Sequence, residues 1–82
     1  MARMDWRAQA NEIRGRKRNV RYRELASMLE AAGFELRRSE GSHRTFCKPG
    51  CALVVSLKEN PGQVKIGHVT EALRAVELYG DD

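Results

Sequence analysis

The sequence predicts a two-layer α+β domain in which helices cover one face of a three-stranded antiparallel sheet. Three observations carry this reading. Leu25, Met28, Leu29 and Ala32 fall at i, i+3, i+4 and i+7, and Val69, Ala72, Leu73 and Val76 repeat the spacing. Each set is one apolar stripe on a helix. Between them, short segments alternate apolar and polar residues and are punctuated by Gly41-Ser42 and Pro49-Gly50, the pattern of hairpins with one face open to water. A stripe on each helix and an apolar sheet face bury one another most simply as two layers.

The elements follow in order. Asp5 to Ile13 fits a short helix, with Asp5 as cap and Trp6, Ala10 and Ile13 at i, i+4 and i+7. Gly15 and a basic run then interrupt the pattern. Residues 1–19 are therefore expected to form a basic helical arm that orders on a partner, and residues 20–82 the folded domain. The next helix runs from about residues 21–23 to Ala32, with Tyr22 extending its stripe and Gly33 suited to the left-handed residue that ends it. Phe34 to Arg38 alternates, so Phe34 and Leu36 are expected inward and Glu35 and Arg37 outward. Glu40-Gly41-Ser42 reads as a turn. His43 to Lys48 is the second strand, with Phe46 inward and His43, Thr45 and Cys47 sharing the outer face. Cys51 to Leu57 is the third, with Leu53, Val55 and Leu57 on one side and Ala52, Val54 and Ser56 on the other. Lys58 to Gln63 is a loop, and Gly80 ends the last helix.

Composition bounds the function. A chain of 82 residues excludes multi-domain enzymes, barrels and dinucleotide-binding folds. It is 41% hydrophobic and 32% charged, enough for a small core but not for a large enclosed active site. No apolar run reaches membrane-spanning length, and the first residues lack the apolar stretch of a signal peptide. The expectation is a cytoplasmic protein with no membrane contact. Cys47 and Cys51 are spaced C-x3-C. A reducing compartment disfavours a disulfide, and a zinc site needs two more ligands than this pair supplies. No metal and no cofactor are expected. The two cysteines read as small packing residues.

The net charge of +4 is unevenly spread. Residues 1–38 hold 10 basic and 5 acidic groups, whereas residues 39–82 hold 5 and 6. Arg14, Arg16, Lys17, Arg18, Arg21 and Arg23 form a run with no acid interleaved among Arg14 to Arg23. Two readings stand open: a solvated segment, or contact with a polyanion such as nucleic acid.

One constellation carries chemistry: Gly41-Ser42-His43-Arg44-Thr45-Phe46. The glycine permits the turn. The serine hydroxyl can bond a turn amide or a phosphate oxygen. The imidazole, on an open strand face, suits proton transfer near neutral pH. Arg37, Arg38, Arg44 and Lys48 offer phosphate contacts around it. The plainer readings are a surface histidine and a serine that caps its turn. His68 reads as a neutral residue at the start of the last helix, and Trp6 as packing onto the domain or stacking on a base.

These residues resemble the HicA toxin family of bacterial toxin–antitoxin systems. The resemblance is carried by Tyr22-Arg23-Glu24-Leu25 through Leu29-Glu30, by Ala32-Gly33-Phe34-Glu35-Leu36, by Gly41-Ser42-His43 with Phe46, and by the terminal Val69, Leu73, Val76 and Tyr79-Gly80. It covers roughly residues 20–80. It implies a double-stranded-RNA-binding-like α–β–β–β–α fold, which agrees with the order derived above. It also implies a small ribonuclease that cleaves mRNA, inhibits translation, and is held inactive by a HicB-type antitoxin in a toxin–antitoxin hetero-oligomer. The family's catalytic histidine maps onto His43. Many members carry a second histidine directly after it; here that position is Arg44. The 19 residues before the resemblance are not explained by it.

The expected function is thus a metal-independent endoribonuclease with His43 catalytic and Gly41, Ser42, Arg44, Arg37, Arg38 and Lys48 on the RNA, with Lys58 and Lys65 as further phosphate contacts. One histidine cannot be base and acid at the same instant, so a second proton donor, water or substrate group is required. The alternative is a non-catalytic RNA-binding module of the same fold. A third reading is a protein-interaction unit whose basic arm meets an acidic partner or contributes to DNA binding.

Overall fold

The computed structural model describes residues 5–50, 54–58 and 63–81. The order is α1 (Trp6–Arg14), α2 (Tyr22–Ala31), β1 (Glu35–Glu40), β2 (His43–Cys47), β3 (Val54–Lys58) and α3 (Ile66–Tyr79). The strands form one antiparallel sheet in the order β1-β2-β3. After α1 this is the predicted α–β–β–β–α order, in two layers. Cys51, Ala52 and Leu53, and most of the predicted loop after Lys58, lie outside the described residues.

The helices form where the sequence supplies stripes and ends. Asp5 caps α1, its carboxylate accepting from Arg7 N at 3.0 Å. At the start of α2 the Glu24 carboxylate reaches back to accept from Arg21 N at 2.9 Å, the reciprocal half of a capping arrangement. Gly33 ends α2 at φ +101°. There Phe34 N donates to Leu29 O at 2.9 Å and Gly33 N to Glu30 O at 3.0 Å, the paired bonds of a Schellman ending.

The core joins all three helices to the inner face of the sheet. Leu25, Met28 and Leu29 of α2, Val69, Ala72 and Val76 of α3, and Phe46, Val55 and Leu57 of the sheet are buried in one cluster. Tyr22 lies against Phe46 with ring centroids 6.4 Å apart. Trp6, Ala10 and Ile13 of α1 belong to the same cluster, and Trp6 Nε1 donates to Asp81 O at 2.7 Å. Trp6 therefore packs on the domain, and α1 is folded onto the body. The position near residue 20 marks where the family resemblance begins; the hydrophobic core runs across it. The chain also returns to α2 at its end, where Asp81 N donates to Ala32 O at 2.8 Å and Asp81 pairs with Lys48.

Strand β1 departs from the expected alternation. Leu36 is 44% exposed and every residue of the strand is open to solvent. Leu36 does pair with Phe46 on the inner side, but β1 is an edge strand and Leu36 lies beyond the cover of the helices. The register shifts between Leu36 and Arg38, a bulge that leaves Arg37 unpaired in the ladder and reverses the alternation beyond it. Glu40, expected in the turn, is the last residue of β1.

Candidate active site

The site begins with a two-residue turn. Glu40 and His43 pair across it, leaving Gly41 and Ser42 as the loop. Gly41 sits at φ +56° and Ser42 has a negative φ, the arrangement that demands glycine at the first central position. Nothing surrounds a Cβ built on Gly41, so its requirement is backbone conformation alone. The turn sets the register, and the register sets the site.

His43 is the first residue of β2 and is exposed. On its two sides across the ladder lie Glu40 of β1 and Lys58 of β3. Directly paired residues have Cβ atoms about 4.5–5.5 Å apart on the same face. Arg38 pairs with Thr45, two residues on from His43, and its Nε lies 3.4 Å from Glu40 Oε1. The outer face therefore gathers a histidine, a carboxylate and two cations. His43 makes no side-chain hydrogen bond among the described residues, so its imidazole is available to a ligand. An acid–base pair beside cationic groups can move protons at a phosphodiester.

The other predicted site residues divide. Arg38 stands on the His43 face. Arg44, adjacent in sequence, alternates to the inner side, where its Nη1 donates to Gly41 O at 2.6 Å and His43 O at 3.2 Å. It braces the turn from behind. Arg37 is the bulge residue and pairs with Glu35 at 3.2 Å. Lys48 lies past the opposite end of β2, paired with Asp81 and only 17% exposed, away from His43. Ser42 is half-buried in the turn and Gly41 exposed. Cys47 is half-buried with a free thiol; it pairs with Glu35 and Val54, at the far end of the face from His43.

Sequence reasoning missed Glu40 and left Lys58 as a secondary contact. The signal for both was present. A two-residue turn at Gly41-Ser42 obliges residues 40 and 43 to face one another, and antiparallel pairing then brings β3 alongside.

The basic run divides as well. Arg14 pairs with Glu77. Arg16 reaches Glu12 at 2.8 Å and bonds both carboxylate oxygens of Glu24. The Arg16 hydrogen bonds hold the Glu24 carboxyl below the usual carboxylate range, and Glu24, then Glu12, push Arg16 further up. These two arginines tie α1 to α2 and α3. Lys17, Arg18 and Arg23 have no such partner among the described residues. Beside β3, Lys58, Val64, Lys65 and His68 line a small cleft of about 70 Å³. His68, in the first turn of α3, is half-buried with Nδ1 buried and without a hydrogen bond.

No helix among the described residues is long and apolar enough to cross a membrane. Among those same residues no group of three or more His, Cys, Asp or Glu is placed to hold a metal ion. In comparisons with known proteins, the model of a family described as "HicA toxin of bacterial toxin-antitoxin" matches residues 22–78. Neither the curated proteins nor the solved structures yielded a match.

Proposed function

The chain belongs to the HicA family of bacterial toxins, a membership that makes an antitoxin its counterpart, and from that premise we propose that it is an endoribonuclease acting on mRNA through His43. The observation that supports this most directly is the ladder pairing of His43 with Glu40 and Lys58 on an exposed sheet face. Cleavage of RNA by its own 2′-hydroxyl needs a base for that hydroxyl, an acid for the departing 5′-oxygen, and cations for the phosphate. Glu40 as carboxylate takes the 2′-hydroxyl proton. The 2′-oxygen attacks phosphorus, and the bond from phosphorus to the 5′-oxygen breaks. Protonated His43 gives its proton to that oxygen. The products are a 2′,3′-cyclic phosphate and a 5′-hydroxyl whose proton came from His43; Glu40 is left protonated and His43 neutral, and proton exchange with water restores both. Lys58 and Arg38 hold the phosphate while its charge rises. Glu40 answers the need for a second proton-handling group that His43 alone leaves open.

In a cell the consequence of this chemistry is loss of mRNA and of translation, restrained by a HicB-type antitoxin that covers the exposed His43 face. The decisive experiment incubates pure protein with long RNA in EDTA and compares it with folded His43→Ala. Cyclic-phosphate-ended fragments from the first and none from the second are expected. Cleavage retained by His43→Ala refutes the assignment. Binding without fragments by the unaltered chain identifies a non-catalytic RNA-binding module.

A further inference from the structure

The basic connector between α1 and α2 lies outside the segment matched to the family, and two of its cations are unused by the fold. The connector is folded into a turn. Asn19 N donates to Arg16 O at 2.8 Å and Arg16 Nη1 donates to Asn19 O at 2.8 Å. Arg16 is occupied by Glu12 and Glu24. Lys17 and Arg18 are left facing a groove of about 450 Å³ that Asn19 and Ile66 also line.

That groove adjoins the cleft beside β3. Val64 N donates to Val20 O at 2.7 Å, and Gln63 Nε2 donates to Asn19 Oδ1 at 3.2 Å. Arg21 and Gln63 pair as an isolated bridge. The connector is thus bonded alongside residues 63–64, immediately before Lys65 and Ile66. Lys65 lines the cleft shared with Lys58 and His68, and Lys58 is the ladder partner of His43. Lys58, Lys65, Lys17 and Arg18 therefore stand on segments bonded side by side: β3 next to His43, the cleft beside it, and the connector. None of these four has a carboxylate partner among the described residues. The acids near the connector, Glu12 and Glu24, are taken up by Arg16.

Cations without carboxylate partners on neighbouring segments beside a proton-transfer site suit a chain of phosphates, and salt-dependent affinity is its signature. We infer that Lys17 and Arg18, with Lys65, bind backbone phosphates of the same RNA strand whose scissile linkage rests at His43. The N-terminal extension would then supply affinity for long single-stranded RNA that the family-matched segment lacks. This inference rests on the RNA-directed function proposed above.

The test uses the full chain carrying Lys17→Ser and Arg18→Ser together. Cleavage of a trinucleotide and of a long unstructured RNA is measured from low to high salt, and equilibrium binding of the long RNA is measured in a His43→Ala background. Each phosphate held on a single strand contributes a slope of about 0.7 in log affinity against log salt. Releasing two phosphates lowers the slope by roughly 1.4 and, at about 0.1 M salt, weakens long-RNA binding roughly 25-fold. KM for long RNA rises accordingly, kcat holds, and trinucleotide cleavage is unchanged. An unchanged slope overturns the inference, as does an equal loss on the trinucleotide. A variant that keeps its RNA affinity but loses an acidic protein partner also overturns it. If the unaltered chain neither binds nor cuts RNA, the proposed function falls and takes this inference with it.

Discussion

Replacing Ile13 by alanine tests whether α1 is structural. Ile13 is 2% exposed, and Trp6 and Ala10 on the same stripe are 9% and 1% exposed. Around it the core is closed, so the missing methyl groups leave a cavity that neighbours fill only in part. Truncations of this kind cost about 2–5 kcal/mol. Since α1 meets the core along a single three-residue stripe, about 2–3 kcal/mol is expected. A domain of this length has a total stability of about 4–12 kcal/mol, so the loss is a large fraction of it. In temperature it corresponds to a fall in Tm of roughly 8–24 °C at about 4–8 °C per kcal/mol. Urea unfolding followed by circular dichroism reads the change directly, with the midpoint shifting and the slope preserved. A surface arm would behave otherwise, because substitutions on it stay within about 0.5 kcal/mol. A shift that small, together with freely exchanging α1 amides, would refute the placement of α1 in the core.

Three further outcomes are expected. Glu40→Gln removes the proposed base while keeping the shape of the side chain; kcat for RNA falls about 10²–10⁴-fold with KM nearly constant, and single-turnover kinetics that match the unaltered chain would rule Glu40 out. Gly33→Ala forces a side chain into the left-handed region at φ +101°, where its Cβ would run into the Asp81 carboxylate and lie 2.9 Å from Lys48 Nζ; a loss of about 1–3 kcal/mol in urea unfolding is expected, along with release of the C-terminal end from α2. Because the Arg16 hydrogen bonds lower the Glu24 pKa in the folded chain, the unfolded state takes up the proton first, so this pair's contribution is full above the ordinary carboxylate range and disappears as pH falls through the lowered folded value. Urea midpoints of the unaltered chain and of Glu24→Gln should therefore differ near neutral pH and converge in acid; a constant gap would show that the carboxylate's charge is not what matters.

Much of this architecture was legible in the residues. The stripes of α2 and α3 are complete heptad-like sets, and their burial follows because no polar residue interrupts them. Gly33 was legible because only the end of a helix gives a glycine there a purpose. The α1 stripe was visible too, but it holds just three apolar positions, and the basic run after it suggested an unattached arm. What rescues α1 is tertiary: Trp6 bonds to Asp81, and Arg14 and Arg16 find carboxylates on other helices. Pairings between residues so distant in sequence leave no periodic trace. Leu36 failed for a related reason. Alternation shows which face a residue takes, not how far the covering layer extends, and the layer stops short of the edge strand. For the candidate site, His43 stood out by its own chemistry, while the placement of Glu40 beside it needed the register. Lys48 looked close to His43 along the chain, but five residues of extended strand span about 17 Å.

The same register ties the site to the core. His43 and Phe46 are three residues apart on one strand, so they must occupy opposite faces. Phe46 is 1% exposed at the centre of the inner face, and giving it up would cost about 3–5 kcal/mol, judged from the truncation of such residues. A slip of one residue in β2 would turn Phe46 to water and His43 into the interior, so burial of the phenyl ring enforces exposure of the imidazole. Parity also governs position 44. Whatever side chain stands there shares the inner face with Phe46, and in this chain Arg44 uses that place to bond the turn carbonyls. A histidine at 44 would project from the sheet on the side away from His43, Glu40 and Lys58. Exchanging it for arginine therefore leaves the outer-face set intact, and the side chains placed to meet His43 stand across the strands rather than along one.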